Sequence, residues 1–105
     1  MNLSVIIPVF NEKNTVEEII SRVERVQLEG IELKEIIIVD DGSTDGTRGV
    51  LNQYKKRSGI TLFLQPNNKG KGAAVRKGFE LASGDLLLVQ DSDLEYNPDD
   101  YSKLL

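Results

Sequence analysis

The chain has 105 residues, with 13 Lys and Arg against 17 Asp and Glu, a net charge of −4, and no Cys, His or Trp. Without Cys or His there is no thiolate zinc site, no Ser-His-Asp triad and no redox pair, and a bound metal must be hard and oxygen-ligated: Mg²⁺, Mn²⁺ or Ca²⁺. The acidic balance argues against general nucleic-acid binding, and no apolar run reaches the ~18 residues that a membrane span needs.

Leu3 to Phe10 is a continuous apolar, β-branched run, the pattern of a strand buried on both faces of a parallel sheet. No basic stretch precedes it and Pro8 interrupts it, so no signal peptide is expected and the cytoplasm is the default compartment. Asn11 offers a helix cap. Val16, Ile19, Ile20, Val23 and Val26 follow at helical spacing, and Gly30 lies beyond the helix end. Glu35 to Val39 is a second buried strand, stopped by the turn residues Asp40, Asp41, Gly42 and Ser43. Thr44 to about Arg57 reads as a second helix with Val50, Leu51 and Tyr54 inward and Ser43 or Thr44 as its cap, weakened by Gly46 and Gly49.

Ile60 to Leu64 is a third strand, and Pro66-Asn67-Asn68 is a loop. Lys71 to Ala82 is a third helix, with Ala74, Val75, Phe79 and Ala82 facing in. Asp85 to Gln90 holds a fourth strand, Asp91 to Pro98 a loop, and Pro98 opens a last helix. The alternation predicts an α/β fold of βαβ units, a mostly parallel sheet covered by helices.

In open parallel sheets, ligands bind at the carboxyl ends of the strands. Asn11 and Glu12 follow the first strand, Asp40 to Asp45 the second, Asn67 to Lys71 the third, and Asp91, Ser92, Asp93 and Glu95 the fourth. Such a rim suits a metal together with an anionic, hydrogen-bonding ligand. In Asp91-Ser92-Asp93, two carboxylates two residues apart at a strand end can reach one hard cation; the same tripeptide also makes an ordinary capped turn. Asp40 and Asp41 can accept hydrogen bonds from a base or ribose, or simply close a turn. Asp45 suits the helix dipole. Asn68 to Gly72 can cradle phosphate or be a solvated loop; it is neither a Walker A loop nor a dinucleotide fingerprint. Tyr54, Phe79, Tyr96 and Tyr101 read as packing residues.

Four segments in order, Ser4-Val-Ile-Ile-Pro-Val-Phe-Asn-Glu12, Ile38-Val-Asp-Asp-Gly-Ser-Thr-Asp45, Asn68-Lys-Gly-Lys-Gly-Ala-Ala-Val-Arg-Lys-Gly78 and Asp91-Ser-Asp-Leu-Glu95, closely resemble the N-terminal half of family 2 glycosyltransferases. Their flavour is similar to that of the dolichyl-phosphate mannose synthase and polyprenyl-phosphate glycosyltransferase group. The resemblance implies a GT-A fold with a Rossmann-like nucleotide-binding half, and inverting transfer from a UDP- or GDP-linked sugar. The acceptor would be a polyprenyl phosphate or a glycan, in cell-envelope biosynthesis. By position it implies that Pro8, Phe10, Asn11 and Glu12 line the nucleotide pocket. Asp40 would bond the base or sugar with Asp41 beside it, Lys71 would approach the nucleotide or diphosphate, and Arg76 would support that region.

Asp91 and Asp93 take the catalytic metal-holding role, Asp91 nearer the nucleotide-sugar, with Mg²⁺ or Mn²⁺ as cofactor. Glu95 stands where a metal-assisting Gln is common in the mannose synthase type, and its carboxylate can ligate the same cation. No general base stands out. The family's catalytic domain is about twice this length, within the usual range for one domain. Residues 1–105 are therefore expected to be one domain, the N-terminal part of a larger one, that binds donor but lacks the acceptor site. A homodimer is expected through an apolar edge or face left exposed, and the parent is expected to associate with the cytoplasmic face of a membrane. Three rivals share some features: a dehalogenase-type phosphotransferase, a receiver-like signalling module and a non-catalytic nucleotide-binding module. The first two place their acids after the first strand.

Overall fold

A computed structural model describes residues 1–91. Four strands, β1 (Asn2–Val9), β2 (Glu32–Asp40), β3 (Ile60–Leu64) and β4 (Leu86–Val89), form one sheet in the order β3-β2-β1-β4. Every pairing is parallel. Three helices connect them: α1 (Val16–Arg25), α2 (Thr47–Leu51), which runs on into a 3-10 turn at Asn52–Tyr54, and α3 (Lys71–Leu81). β3 has the boundaries expected from sequence. β2 is longer than expected, beginning at Glu32, because Met1 O accepts Glu32 N at 2.9 Å and extends the ladder with β1.

The continuous apolar strands serve two cores. Val5, Ile7, Val9, Ile36 and Ile38 pack with Ile19, Ile20 and Val23 of α1 and with Leu51 and Tyr54. Ile6, Ile37 and Val39, on the opposite face, pack with Ala74 of α3. Side chains alternate across a sheet with a period of two, so a strand covered on both faces must be apolar throughout. Gly78 lets α3 come down on the sheet: a Cβ there would lie 2.4 Å from Ile6 Cγ2.

Three expectations are corrected. The second helix is short. Ser43 N and Oγ bond Asp40, and Thr44 N bonds Asn11, which holds this stretch out of helix. Gly46 then takes a left-handed φ of 99°, and α2 starts at Thr47, whose N–H is accepted by Asp45 Oδ1 at 3.0 Å. Neither Ser43 nor Thr44 is its cap. Asn11 does not cap α1, which starts five residues later; it adopts a left-handed φ of 50°, a conformation that Asn tolerates better than most residues. Phe79 faces solvent at 46% exposure, while Gly78 takes the inward position.

The chain reverses its direction of growth between β1 and β4. α1 and α2 carry it from β1 to β2 to β3 on one face, and α3 returns it to β4 on the other. That reversal is the topological switch point, where a crevice opens beyond the carboxyl ends of the strands. Pro8 helps open it. Ile6 O accepts Gln90 N at 2.8 Å, and two residues on, Pro8 has no N–H to offer on that side, so the β1–β4 ladder stops. Among the described residues β4 is a sheet edge, and its Leu87 and Val89 are exposed.

Candidate functional site

The crevice at the switch point is a cleft of about 300 Å³, walled by Pro8, Val9, Phe10 and Glu12 after β1, Asp41 after β2, Asn68, Gly70, Lys71 and Ala74 of the third crossover, and Asp91 after β4. Residues from the ends of β1, β2 and β4 and from the start of α3 therefore meet at one place. The cleft brings together Pro8, Phe10, Glu12, Asp41, Lys71 and Asp91 of the residues expected from sequence. Asn11, Asp40 and Arg76 do not wall it.

The adjacent acids Asp40 and Asp41 point to opposite sides of the sheet, and their surroundings differ. Asp40 is fully buried. Its Oδ1 accepts Ser43 Oγ at 2.5 Å, and its Oδ2 accepts Ser43 N at 3.0 Å and Arg48 Nε at 2.7 Å. Both oxygens are engaged inside the fold, and Arg48 goes on to donate to Gln65 O. Asp41 is the acid that reaches the cleft. Its Oδ1 accepts Gln65 Nε2 and Lys69 N, each at 2.7 Å, and its Oδ2 accepts Gly70 N at 2.9 Å. Asp41 thus pins the 67–70 loop at the start of α3. Gly42 permits the close approach: its φ is +78°, and a Cβ would lie 2.6 Å from Asn68 N.

Asn11 ties the first two strand ends together. Its N–H donates to Ser43 Oγ at 2.9 Å and its Oδ1 accepts Thr44 N at 2.7 Å. Glu12 N donates to Thr47 Oγ1 at 3.2 Å, which holds the Glu12 side of the cleft against α2. Asp45 receives Thr47 Oγ1 and, more weakly, Thr47 N, and these bonds hold its carboxyl below the usual value of 3.8. It is a turn-locking group outside the cleft. Burial pushes the Tyr54 phenol above its usual value of 10.0, with Glu17 adding to the effect.

Lys71 opens α3, and its Nζ pairs with Asp91 Oδ1 across the cleft. Asp91 is 23% exposed. A carboxylate on the cleft wall at a strand end is the donor type that a hard cation needs. Among the described residues no three acids cluster closely enough to make a metal site by themselves. Asp93 and Glu95, the two other expected ligands, lie outside the described residues, as do Ser92, Tyr96, Pro98 and Tyr101.

Arg76 lies on a neighbouring face of α3. It lines a separate depression with Phe63, Gln65, Lys69, Lys77 and Glu80. Sequence reasoning passes over Val9, Ala74 and Gln65 as site residues. Ala74 is legible only as an inward helical position, and Gln65 follows a strand end without any motif.

Residues 4–105 match the family described as Glycosyl transferase family 2. The chain belongs to glycosyl transferase family 2. Among curated family 2 relatives, a dolichol-phosphate mannosyltransferase of Pyrococcus furiosus is 37% identical over 105 residues, 100% of this chain and 29% of that protein. An undecaprenyl-phosphate 4-deoxy-4-formamido-L-arabinose transferase of Pseudomonas aeruginosa is 36% identical over 98% of this chain and 31% of its own length. Among solved structures, the mannosyltransferase PcManGT of Pyrobaculum calidifontis, in complex with GDP-Man and Mn²⁺, superposes with a TM-score of 0.72 at 25% identity, covering 87% of this chain and 27% of that one. The chain thus spans about 30% of the length of the curated relatives it matches. The fold is the α/β, GT-A type expected from the sequence, and every strand pairing among the described residues is parallel where the sequence predicted a mostly parallel sheet.

Proposed function

We propose that the cleft binds the nucleoside diphosphate of a UDP- or GDP-linked sugar and that the protein transfers the sugar, with inversion, to a polyprenyl phosphate or glycan acceptor. The observation that carries this reading is the meeting of Phe10, Asp41, Lys71 and Asp91 in one crevice at the switch point of a parallel sheet. The names of the relatives, which transfer sugars to dolichol or undecaprenyl phosphate, support the acceptor class, and the GDP-Man complex of the structural neighbour supports the donor class.

Each wall has a task in this reading. Phe10, 43% exposed, offers a flat apolar face to the base or ribose. The Asp41-pinned loop sets the position of Gly70 and Lys71. Lys71, on the cleft wall, would meet a phosphate oxygen through its Nζ. Asp91, with Asp93 and Glu95 following in sequence, would hold Mg²⁺ or Mn²⁺, which when bound neutralises charge on the departing nucleoside diphosphate. A phosphate acceptor is already anionic and needs little help from a base. In this reading the acceptor site would lie in the portion of the relatives that this chain does not span. The whole protein would then act in the cytoplasm, at the membrane face where a lipid-linked acceptor is presented.

The test is titration calorimetry of the chain with UDP, GDP and their sugars, with and without Mn²⁺, beside Asp91→Ala. One nucleotide should bind in a metal-dependent way and lose most of its affinity in the variant. Metal-independent binding of equal strength in both proteins would remove the metal-dependent donor site.

A further inference from the structure

Three acids wall the cleft, Glu12, Asp41 and Asp91, and a single cation does so, Lys71, among the described residues. Asp41 is satisfied by Gln65 and two backbone N–H groups. Glu12 Oε2 accepts Thr15 Oγ1 at 3.0 Å. Among the described residues Asp91 alone of the three is matched by a charged side chain, and that partner is a lysine with 61% of its side chain exposed. The pair joins the first residue of α3 to the end of β4, so it bridges two walls of the same cleft.

We propose that Lys71 is a built-in stand-in for the metal, neutralising Asp91 in the free cleft and passing to the diphosphate when cation and nucleotide enter together. The inference rests on the metal-dependent donor-site reading. A cation arriving alone must displace the ammonium from Asp91 and leave it without an anionic partner. A cation arriving with a diphosphate gives Lys71 a new one, because the lysine stem is long and unbranched and its head is a compact point charge. Each ligand then raises the affinity for the other, since both act on the same two-position side chain. Lys71 is a positioning residue here, and its effect is on the order and coupling of binding.

The experiment is titration of the full chain with Mn²⁺ alone, following free Mn²⁺ by electron paramagnetic resonance, in the wild type, Lys71→Met, Lys71→Arg and Lys77→Met. Lys77 lies outside the cleft and controls for a general change of charge. Lys71→Met should bind Mn²⁺ about two- to fivefold more tightly than the wild type, the range of an exposed ion pair. Lys71→Arg should stay near the wild type, and Lys77→Met should gain less. With GDP or UDP present the order should invert, the wild type holding nucleotide and metal more tightly than Lys71→Met. Equal, weaker or undetectable Mn²⁺ binding by Lys71→Met, or a gain matched by Lys77→Met, would overturn the stand-in role. An Asp91→Ala variant whose Mn²⁺ affinity is unchanged, alone and with nucleotide, would instead remove the metal site on which the inference rests.

Discussion

Replacing Asp41 by Asn preserves its size and removes its charge, and the hydrogen bonds around the carboxylate set the cost. It accepts three, at 2.7 Å from Gln65 Nε2, 2.7 Å from Lys69 N and 2.9 Å from Gly70 N. An amide can keep the first two by placing its oxygen at Oδ1. Its NH₂ then faces Gly70 N, donor against donor. Bonds to a charged acceptor contribute about 1.5–3 kcal/mol and neutral ones about 0.5–1.5. Two bonds are therefore weakened and one is lost. Gly70 N keeps a second acceptor, Asn68 Oδ1 at 3.2 Å, which offsets part of that loss. The expected destabilisation is about 3–4 kcal/mol, a large share of the roughly 5–15 kcal/mol of a typical domain. Because the chain has no Trp, urea unfolding is best followed by far-UV circular dichroism, with the denaturant slope expected to be unchanged. Nucleotide affinity should fall as well, since Gly70 and Lys71 lose their anchor. A midpoint shift worth less than about 0.5 kcal/mol, the size of an ordinary surface substitution, would refute the pinning role of Asp41.

Arg48→Met removes the charged partner of the buried Asp40 and should destabilise by about 2–4 kcal/mol; Asp40→Asn in the same background should recover part of the loss, read from unfolding midpoints in a double-mutant cycle. Gly78→Ala places a methyl against Ile6. Overpacking of about 1–3 kcal/mol should outweigh the gain of about 1 kcal/mol in helix propensity, and adding Ile6→Ala should cost less than the sum of the two single changes. Asp45 has a lowered folded pKa, so its contribution to stability is present above the unfolded value and is lost as pH falls below about 3.8 through the folded value. Thr47→Val should return its carboxyl titration, followed by NMR, toward the ordinary value. Tyr54 has a raised folded pKa, so its contribution is present below 10.0 and lost as pH rises through the folded value; Tyr54→Phe should flatten the alkaline limb of the stability curve.

Much of this fold is legible in the chain because apolar runs and helical spacing report burial directly. Ile60–Leu64 has the expected bounds, and α3 runs one residue short of them. The second helix departs from its expected span because Asp40 and Asp45 use their side chains on the nearby backbone N–H groups of Ser43 and Thr47, and that competition outweighs propensity. The site is legible as a set of strand ends but not in its finer division. Asp40 and Asp41 are one residue apart and chemically identical, and only the strand's alternation sends one into the fold and the other into the cleft. In the same way Lys71 and Ala74 face the cleft while Ala73, Arg76 and Lys77 face the next depression. The close approaches at Gly42 and Gly78 carry no sequence signal beyond the glycine itself.

The most direct test of the central claim is an amide NMR titration of the chain with GDP or UDP in the presence of Mg²⁺. Shifts should cluster on Phe10, Glu12, Asp41, Gly70, Lys71 and Asp91 and spare Arg76 and Lys77. Shifts centred on the Arg76 depression, or none with either nucleotide at millimolar concentration, would contradict it.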